Sequence, residues 1–78
     1  MKRARDIKTG DTVFLVSRGG VEKGEVTHKY LKYMTTQFGS VSLGFKVDPE
    51  RPLFWYSKSI AVIFDPEFLH FRRFMKLR

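Results

Sequence analysis

The sequence contains no cysteine and no apolar run long enough to span a membrane. Without cysteine, a disulfide scaffold, a zinc knuckle and a thiol enzyme are all excluded. Residues 1–10 carry no signal-peptide apolar segment, and a membrane helix needs roughly 18 to 20 apolar residues. The chain has 78 residues, of which 42% are hydrophobic and 15% aromatic. We therefore predict one soluble, cytoplasmic domain with a single core over residues 1–78.

Acidic residues are scarce, because 8 of them stand against 15 lysines and arginines, for a net charge of +7. Between residues 6 and 71 the basic and acidic side chains cancel, so the excess lies at the two ends. The terminal cations are Lys2, Arg3, Arg5, Arg72, Arg73, Lys76 and Arg78. Basic ends can keep a small domain soluble. They can equally converge on a polyanion, because domain termini often lie close together.

Short β-branched and aromatic runs, separated by turn residues, predict a mainly β chain. The clearest strand is 41–47, where Val41, Leu43, Phe45 and Val47 alternate with polar or small residues. Gly44 inside it indicates a bend or a close backbone approach. The five predicted strands are 12–16, 24–30, 41–47, 53–56 and 59–64, and the last two can also form one strand interrupted near residues 57–58.

The connections between these strands are predicted from glycine and proline. The stretch 19–24 is interpreted as a hairpin loop, 37–40 as a turn, and 48–52 as a stiff polar loop. The second strand can run on into Tyr33.

A change of pattern at Asp65 predicts a C-terminal helix. Asp65 can cap it, Pro66 suits its first position, and Glu67 complements the positive end of the helix dipole. At about 100° per residue, aromatic and basic residues separate onto opposite sides. The apolar arc is Phe68, Phe71, Phe74 and Met75, and the opposite side is His70, Arg72, Arg73 and Lys76. We predict an amphipathic basic helix over 65–78 that packs its aromatic arc on the sheet.

Two short patterns resemble SH3-like small barrels of the KOW and Tudor kind. Gly10-Asp11-Thr12-Val13 resembles the first-strand entry of that family, and Gly24-Glu25-Val26 resembles the start of its second strand. The likeness covers residues 7–64. It implies a small five-stranded antiparallel barrel, with the C-terminal α-helix as an appendage, that binds nucleic acid or protein tails without catalysis. The methyl-lysine cage of Tudor modules cannot be assigned. The layout is also similar to small phage-encoded proteins that end in a strand and a capped helix.

Catalytic and metal chemistry find little support in the residues. His28 and His70 are far apart in sequence, so neither a metal site nor any cofactor is predicted. The glycine-rich stretch 19–24 lacks the Gly-Lys-Ser/Thr triplet of a phosphate-binding loop. Glu25 and His28 could serve as a general acid–base pair, but a regular strand directs them to opposite faces unless a bulge intervenes. We predict that the protein is not an enzyme.

Consecutive aromatics at Phe54, Trp55 and Tyr56 cannot all face one core, because strand side chains alternate. At least one is therefore predicted to be partly exposed, unless the C-terminal helix covers it. Beside basic residues, such a ring can stack on bases. Tyr30 and Tyr33 can extend this aromatic surface or belong to the core and its rim.

Charge and resemblance together predict a nucleic-acid-binding module, of DNA or RNA, with little sequence preference. The candidate binding residues are Lys2, Arg3, Arg5, Trp55, Tyr56, Arg72, Arg73, Lys76 and Arg78. The alternative is a protein-interaction module or small regulator that docks on an acidic patch of a larger enzyme or transcription complex, anchored by Trp55 or Leu69. Membrane-surface docking fits least well, because the aromatic arc is predicted to face the sheet.

Overall fold

The computed structural model describes residues 1–69, which form a mainly β structure. One antiparallel sheet of six strands follows a 3-10 turn at Ala4–Asp6. The strands are β1 (Thr12–Ser17), β2 (Gly20–Lys29), β3 (Tyr33–Phe38), β4 (Val41–Lys46), β5 (Leu53–Ser57) and β6 (Ile60–Ile63). Their order across the sheet is β4-β3-β2-β1-β6-β5, so β4 and β5 are its edges.

Two-residue turns join β1 to β2 and β3 to β4. Ser17 pairs with Gly20 across the first turn, and Phe38 pairs with Val41 across the second. Positive φ angles of 126° at Gly20 and 60° at Gly39 allow these tight connections, which side chains with a Cβ disfavour. The turn predicted within 37–40 is confirmed. The hairpin loop predicted over 19–24 is wrong beyond its first residue, because β2 already pairs with β1 from Gly20.

The sheet curls into a half-barrel around a single core. Strand alternation turns one face inward, and Val13, Val26, Met34 and Phe38 are almost completely buried there. Phe45 on β4 stacks on Phe54 on β5, with ring centroids 4.3 Å apart and planes 11° apart. The two edge strands therefore meet through side chains, which closes the curl.

β3 is the strand that the sequence analysis missed, so the five predicted strands are six. Met34, Thr36 and Phe38 point inward in regular alternation, but Thr36 interrupts the apolar pattern. The hydroxyl of Thr36 donates to the carbonyl of Leu43 at 3.1 Å, which satisfies this polar group at a buried position.

β2 does not run on into Tyr33, because residues 30–32 form the turn to β3. Leu43 and Phe45 on β4 and Val47 just after it follow the predicted alternation, whereas Val41 at the strand's start is exposed.

The N-terminal segment is part of the folded domain. The N–H of Ala4 donates to the carbonyl of Arg51 at 2.9 Å, and that of Arg5 donates to the carbonyl of Pro49 at 3.0 Å. Ala4 and Ile7 are buried in the core. Lys2, Arg3 and Arg5 therefore belong to a segment that is hydrogen-bonded to and packed against the rest of the domain.

The predicted C-terminal helix is not present in the described part of the chain. Residues 66–69 form a 3-10 turn, in which the N–H of Phe68 donates to the carbonyl of Asp65 at 2.9 Å. The capping role predicted for Asp65 is confirmed for this turn, since its Oδ1 accepts the N–H of Glu67 at 2.9 Å. Residues 70–78, which carry most of the predicted helix and its basic face, lie outside the described residues.

Candidate functional site

Two of the three N-terminal cations contact carboxylates. Lys2 Nζ lies 3.6 Å from Asp11 Oδ2. Arg5 Nη1 donates to both oxygens of Glu50, at 3.2 and 3.1 Å. Such exposed pairs add little stability, but each carboxylate cancels positive charge that a polyanion would otherwise meet. The N-terminal segment is therefore less cationic than its sequence indicates.

Asp6 adds a further negative charge beside this segment. Its Oδ2 accepts the backbone N–H of Arg3 at 3.0 Å, and this hydrogen bond holds the pKa of Asp6 below its ordinary value. Asp6 Oδ1 also lies 3.7 Å from Nε of Arg5. The charge of Asp6 therefore persists to a lower pH than that of a free aspartate.

The two predicted aromatic site residues lie on the edge strand β5. Trp55 pairs with Ala61 on the face opposite to Phe54, as the alternation argument predicts. Trp55 is 39% exposed and Tyr56 49% exposed, and a bulge follows Trp55 in the pairing with β6. The remaining predicted site residues, Arg72, Arg73, Lys76 and Arg78, lie outside the described residues.

A second group of exposed aromatic and apolar side chains lies at the turn between β2 and β3. Tyr30 is 59% exposed, Leu31 77% and Tyr33 41%. The two tyrosine rings lie with centroids 6.4 Å apart and planes tilted by 41°. The N–H of Tyr30 donates to the carbonyl of Tyr33 at 2.8 Å, which holds the turn closed.

Three lysines, Lys29, Lys32 and Lys46, lie in this turn or on the strands beside it. Lys46 is the cross-strand partner of Tyr33, and the carbonyl of Lys32 accepts the N–H of Val47 at 3.0 Å. We call the surface formed by Tyr30, Leu31, Lys32, Tyr33 and Lys46 the turn patch. The whole segment 26–47 contains three lysines and no aspartate or glutamate. Within residues 1–69, no ion pair involves these lysines.

The end of the Tyr33 ring occupies the space that a side chain at Gly44 would fill. A Cβ built at Gly44 would collide with the hydroxyl of Tyr33 and would lie 3.2 Å from its Cζ. The sequence predicted a bend or a close backbone approach at Gly44, whereas its close neighbours are the side chains of Tyr33 and Thr35. Sequence reasoning named Tyr30 and Tyr33 without deciding their role, and the signal it overlooked is the absence of acidic residues around them.

A β-bulge in β2, the exception that the sequence analysis allowed for, places Glu25 and His28 on the same face. Glu25 pairs with Gln37 and His28 pairs with Thr35, with the register shift between Val26 and His28. Because Thr35 and Gln37 are two residues apart on β3, Glu25 and His28 share a face. His28 Nδ1 lies 3.1 Å from Oγ1 of Thr35, the hydrogen-bond partner that the described residues provide.

In the described part of the chain, no group of three or more histidine, aspartate or glutamate side chains could hold a metal ion. Among residues 1–69, no helix is long and apolar enough to cross a membrane. Comparisons of the chain with protein-family models, with curated proteins and with solved structures find no match.

Proposed function

We propose that the protein is a non-enzymatic nucleic-acid-binding module that uses the turn patch. The observation that carries the proposal is the exposed tyrosine pair beside lysines that form no ion pair within residues 1–69. When lysines without a paired carboxylate bind phosphates, the counterions of the nucleic acid are released, which favours binding. Exposed rings add stacking on bases. Both contributions to affinity depend little on the base sequence.

We also propose that the fold is an SH3-like small barrel. β1 to β4 form a meander, and β6 returns to pair with β1. This return of the last strand to the first supports an SH3-like small barrel, in which β5 is an additional edge strand. Barrels of this size fill their interior with side chains, so ligands have to bind on the rim or the outer surface. The turn patch lies at such a rim.

The experiment is a salt titration of nucleic-acid binding with charge variants. Lys32→Gln/Lys46→Gln is expected to make the slope of log K against log salt shallower by about 1.4 on a single strand or 1.8 on a duplex. The matched control, Lys23→Gln/Lys58→Gln, removes the same charge from exposed positions elsewhere and is expected to leave the slope unchanged. Neutralising Arg72, Arg73, Lys76 and Arg78 in the same assay measures what the C-terminal cations add.

Two results would contradict the proposal. The first is the absence of binding to duplex DNA, single-stranded DNA and RNA at about 50 mM salt, where electrostatic binding is strong. The second is an equal slope in the turn-patch variant and in its matched control.

Protein interaction is the second candidate function, and the β5 edge favours it. β5 carries the exposed side chains of Trp55 and Tyr56, and in the described sheet β6 is its one hydrogen-bonded neighbour. Partner strands can add to such an edge, and aromatic side chains are frequent anchors of interfaces. Recovery of a stoichiometric partner after nuclease treatment, lost in Trp55→Ala and kept in Tyr30→Ala, is the expected result. Equal recovery with both variants would count against the β5 edge.

A further inference from the structure

We propose that the turn patch binds single-stranded nucleic acid in preference to duplex, an inference that rests on the proposed function and names its ligand class. The spacing of the two rings supports binding to separated bases. The centroids of Tyr30 and Tyr33 are 6.4 Å apart, which is roughly twice the 3.4 Å between successive bases along a duplex strand. Bases in a duplex are stacked on each other and inaccessible, whereas the bases of a single strand can separate and stack on protein rings.

The turn that carries the two rings is formed before binding. The hydrogen bond from Tyr30 N to the carbonyl of Tyr33 closes the backbone of the turn, the two rings lie beside each other, and the Tyr33 ring lies against Gly44 of β4. Rings that are held before binding lose less side-chain freedom when a base stacks on them.

Few groups of the turn patch can read a duplex. Base edges in the major groove are read mainly by arginine, lysine, asparagine and glutamine, and of these residue types the turn patch contains lysine alone. In the described part of the chain, the helical segments are the 3-10 turns at Ala4–Asp6 and 66–69, which are too short to act as recognition helices. Three nearby lysines match the few phosphates that a short single strand places beside two bases.

The experiment measures the affinity of the full chain for fluorescent thymidine and uridine oligonucleotides of about 12 nucleotides and for a duplex of equal length. At about 50 mM salt, at least one of the two single strands is expected to bind about tenfold or more tightly than the duplex. The comparison of the two oligonucleotides distinguishes DNA from RNA as the preferred single strand.

Ring variants separate stacking from charge. Tyr30→Ala/Tyr33→Ala is expected to weaken single-strand binding by about 30-fold and duplex binding by less than about threefold. Tyr30→Phe/Tyr33→Phe keeps the rings and is expected to keep the affinity. The matched control, Trp55→Ala/Tyr56→Ala, removes two exposed aromatics from β5 and is expected to leave single-strand binding unchanged. Gly44→Ala keeps every ring and charge but displaces Tyr33, so we expect a loss of about threefold or more.

The results separate the inference from the proposed function. If no nucleic acid binds, the proposed function itself fails. If nucleic acid binds but the duplex binds as tightly as the single strands, or if Tyr30→Ala/Tyr33→Ala binds like the unmodified protein, the single-strand inference is overturned while the function stands. If affinity is lost in Trp55→Ala/Tyr56→Ala instead, the site is on β5 and the turn patch is the wrong surface. An unchanged affinity in Gly44→Ala overturns its positioning role.

Discussion

Phe45→Ala is expected to lower the free energy of unfolding by about 3 to 5 kcal/mol. The ring of Phe45 is buried and stacks at 4.3 Å on Phe54. Its loss removes apolar contacts from the core and the direct side-chain contact between the two edge strands. β4 and β5 lie at opposite ends of the strand order and share no backbone ladder in the described sheet, so side-chain contacts such as this pair link the two edges.

Chemical denaturation followed by tryptophan fluorescence measures this effect, since Trp55 is the single tryptophan and lies on β5. Phe45→Leu fills much of the volume without the stacked ring and is expected to cost about 1 to 1.5 kcal/mol. The matched control is Val41→Ala on the same strand, where the exposed side chain is expected to contribute less than about 0.5 kcal/mol. A loss below about 1 kcal/mol in Phe45→Ala would show that the stacked pair does not hold the edges together.

Asp65→Ala is expected to destabilise the protein by about 2 to 4 kcal/mol. Asp65 is only 4% exposed. Its Oδ2 accepts the N–H of Lys2 at 2.8 Å, and its Oδ1 accepts the N–H of Glu67 at 2.9 Å. One carboxylate therefore holds the N-terminal segment and the turn after β6 together, and removal of both acceptors leaves two backbone donors without partners.

Urea denaturation and amide hydrogen exchange test this role. Asp65→Asn retains one carbonyl oxygen and is expected to lose about half of the stability lost in Asp65→Ala. The matched control is Asp48→Ala, which removes an exposed aspartate whose Oδ1 accepts the N–H of Glu50 at 3.1 Å, and we expect a loss of about 0.5 to 1 kcal/mol. Equal losses in Asp65→Ala and Asp48→Ala would contradict the linking role of Asp65.

The strands that follow the apolar alternation were predictable from the sequence. β1, β4 and the β5–β6 pair are confirmed close to their predicted bounds, because their inward positions carry apolar side chains and their ends carry turn residues. β3 escaped prediction because Thr36 takes an inward position, where its hydroxyl finds a partner only after β4 has paired. A polar residue is recognisable as a core residue only when its hydrogen-bond partner is known.

The candidate site was predictable only in its components. The aromatic residues, the excess of cations and the absence of metal-ligand spacing can all be read from the sequence, whereas the exposure and the spatial neighbours of each side chain cannot. Lys2 and Arg5 contact carboxylates from distant parts of the chain, and the bulge at Thr27 brings Glu25 and His28 to one face. The site accordingly shifts in our proposal from the chain ends towards the β2–β3 turn.

The sequence alone determined the β character of this protein, most of its strands and its excess of positive charge. These properties follow from local periodicity, turn chemistry and counting, which need no knowledge of distant contacts. Only the tertiary structure decided which cations face carboxylates, which aromatics remain exposed and how the N-terminal segment joins the core. Each of those outcomes depends on residues far apart in the chain, such as Arg5 with Glu50 or Lys2 with Asp65, and local pattern carries no information about such pairs.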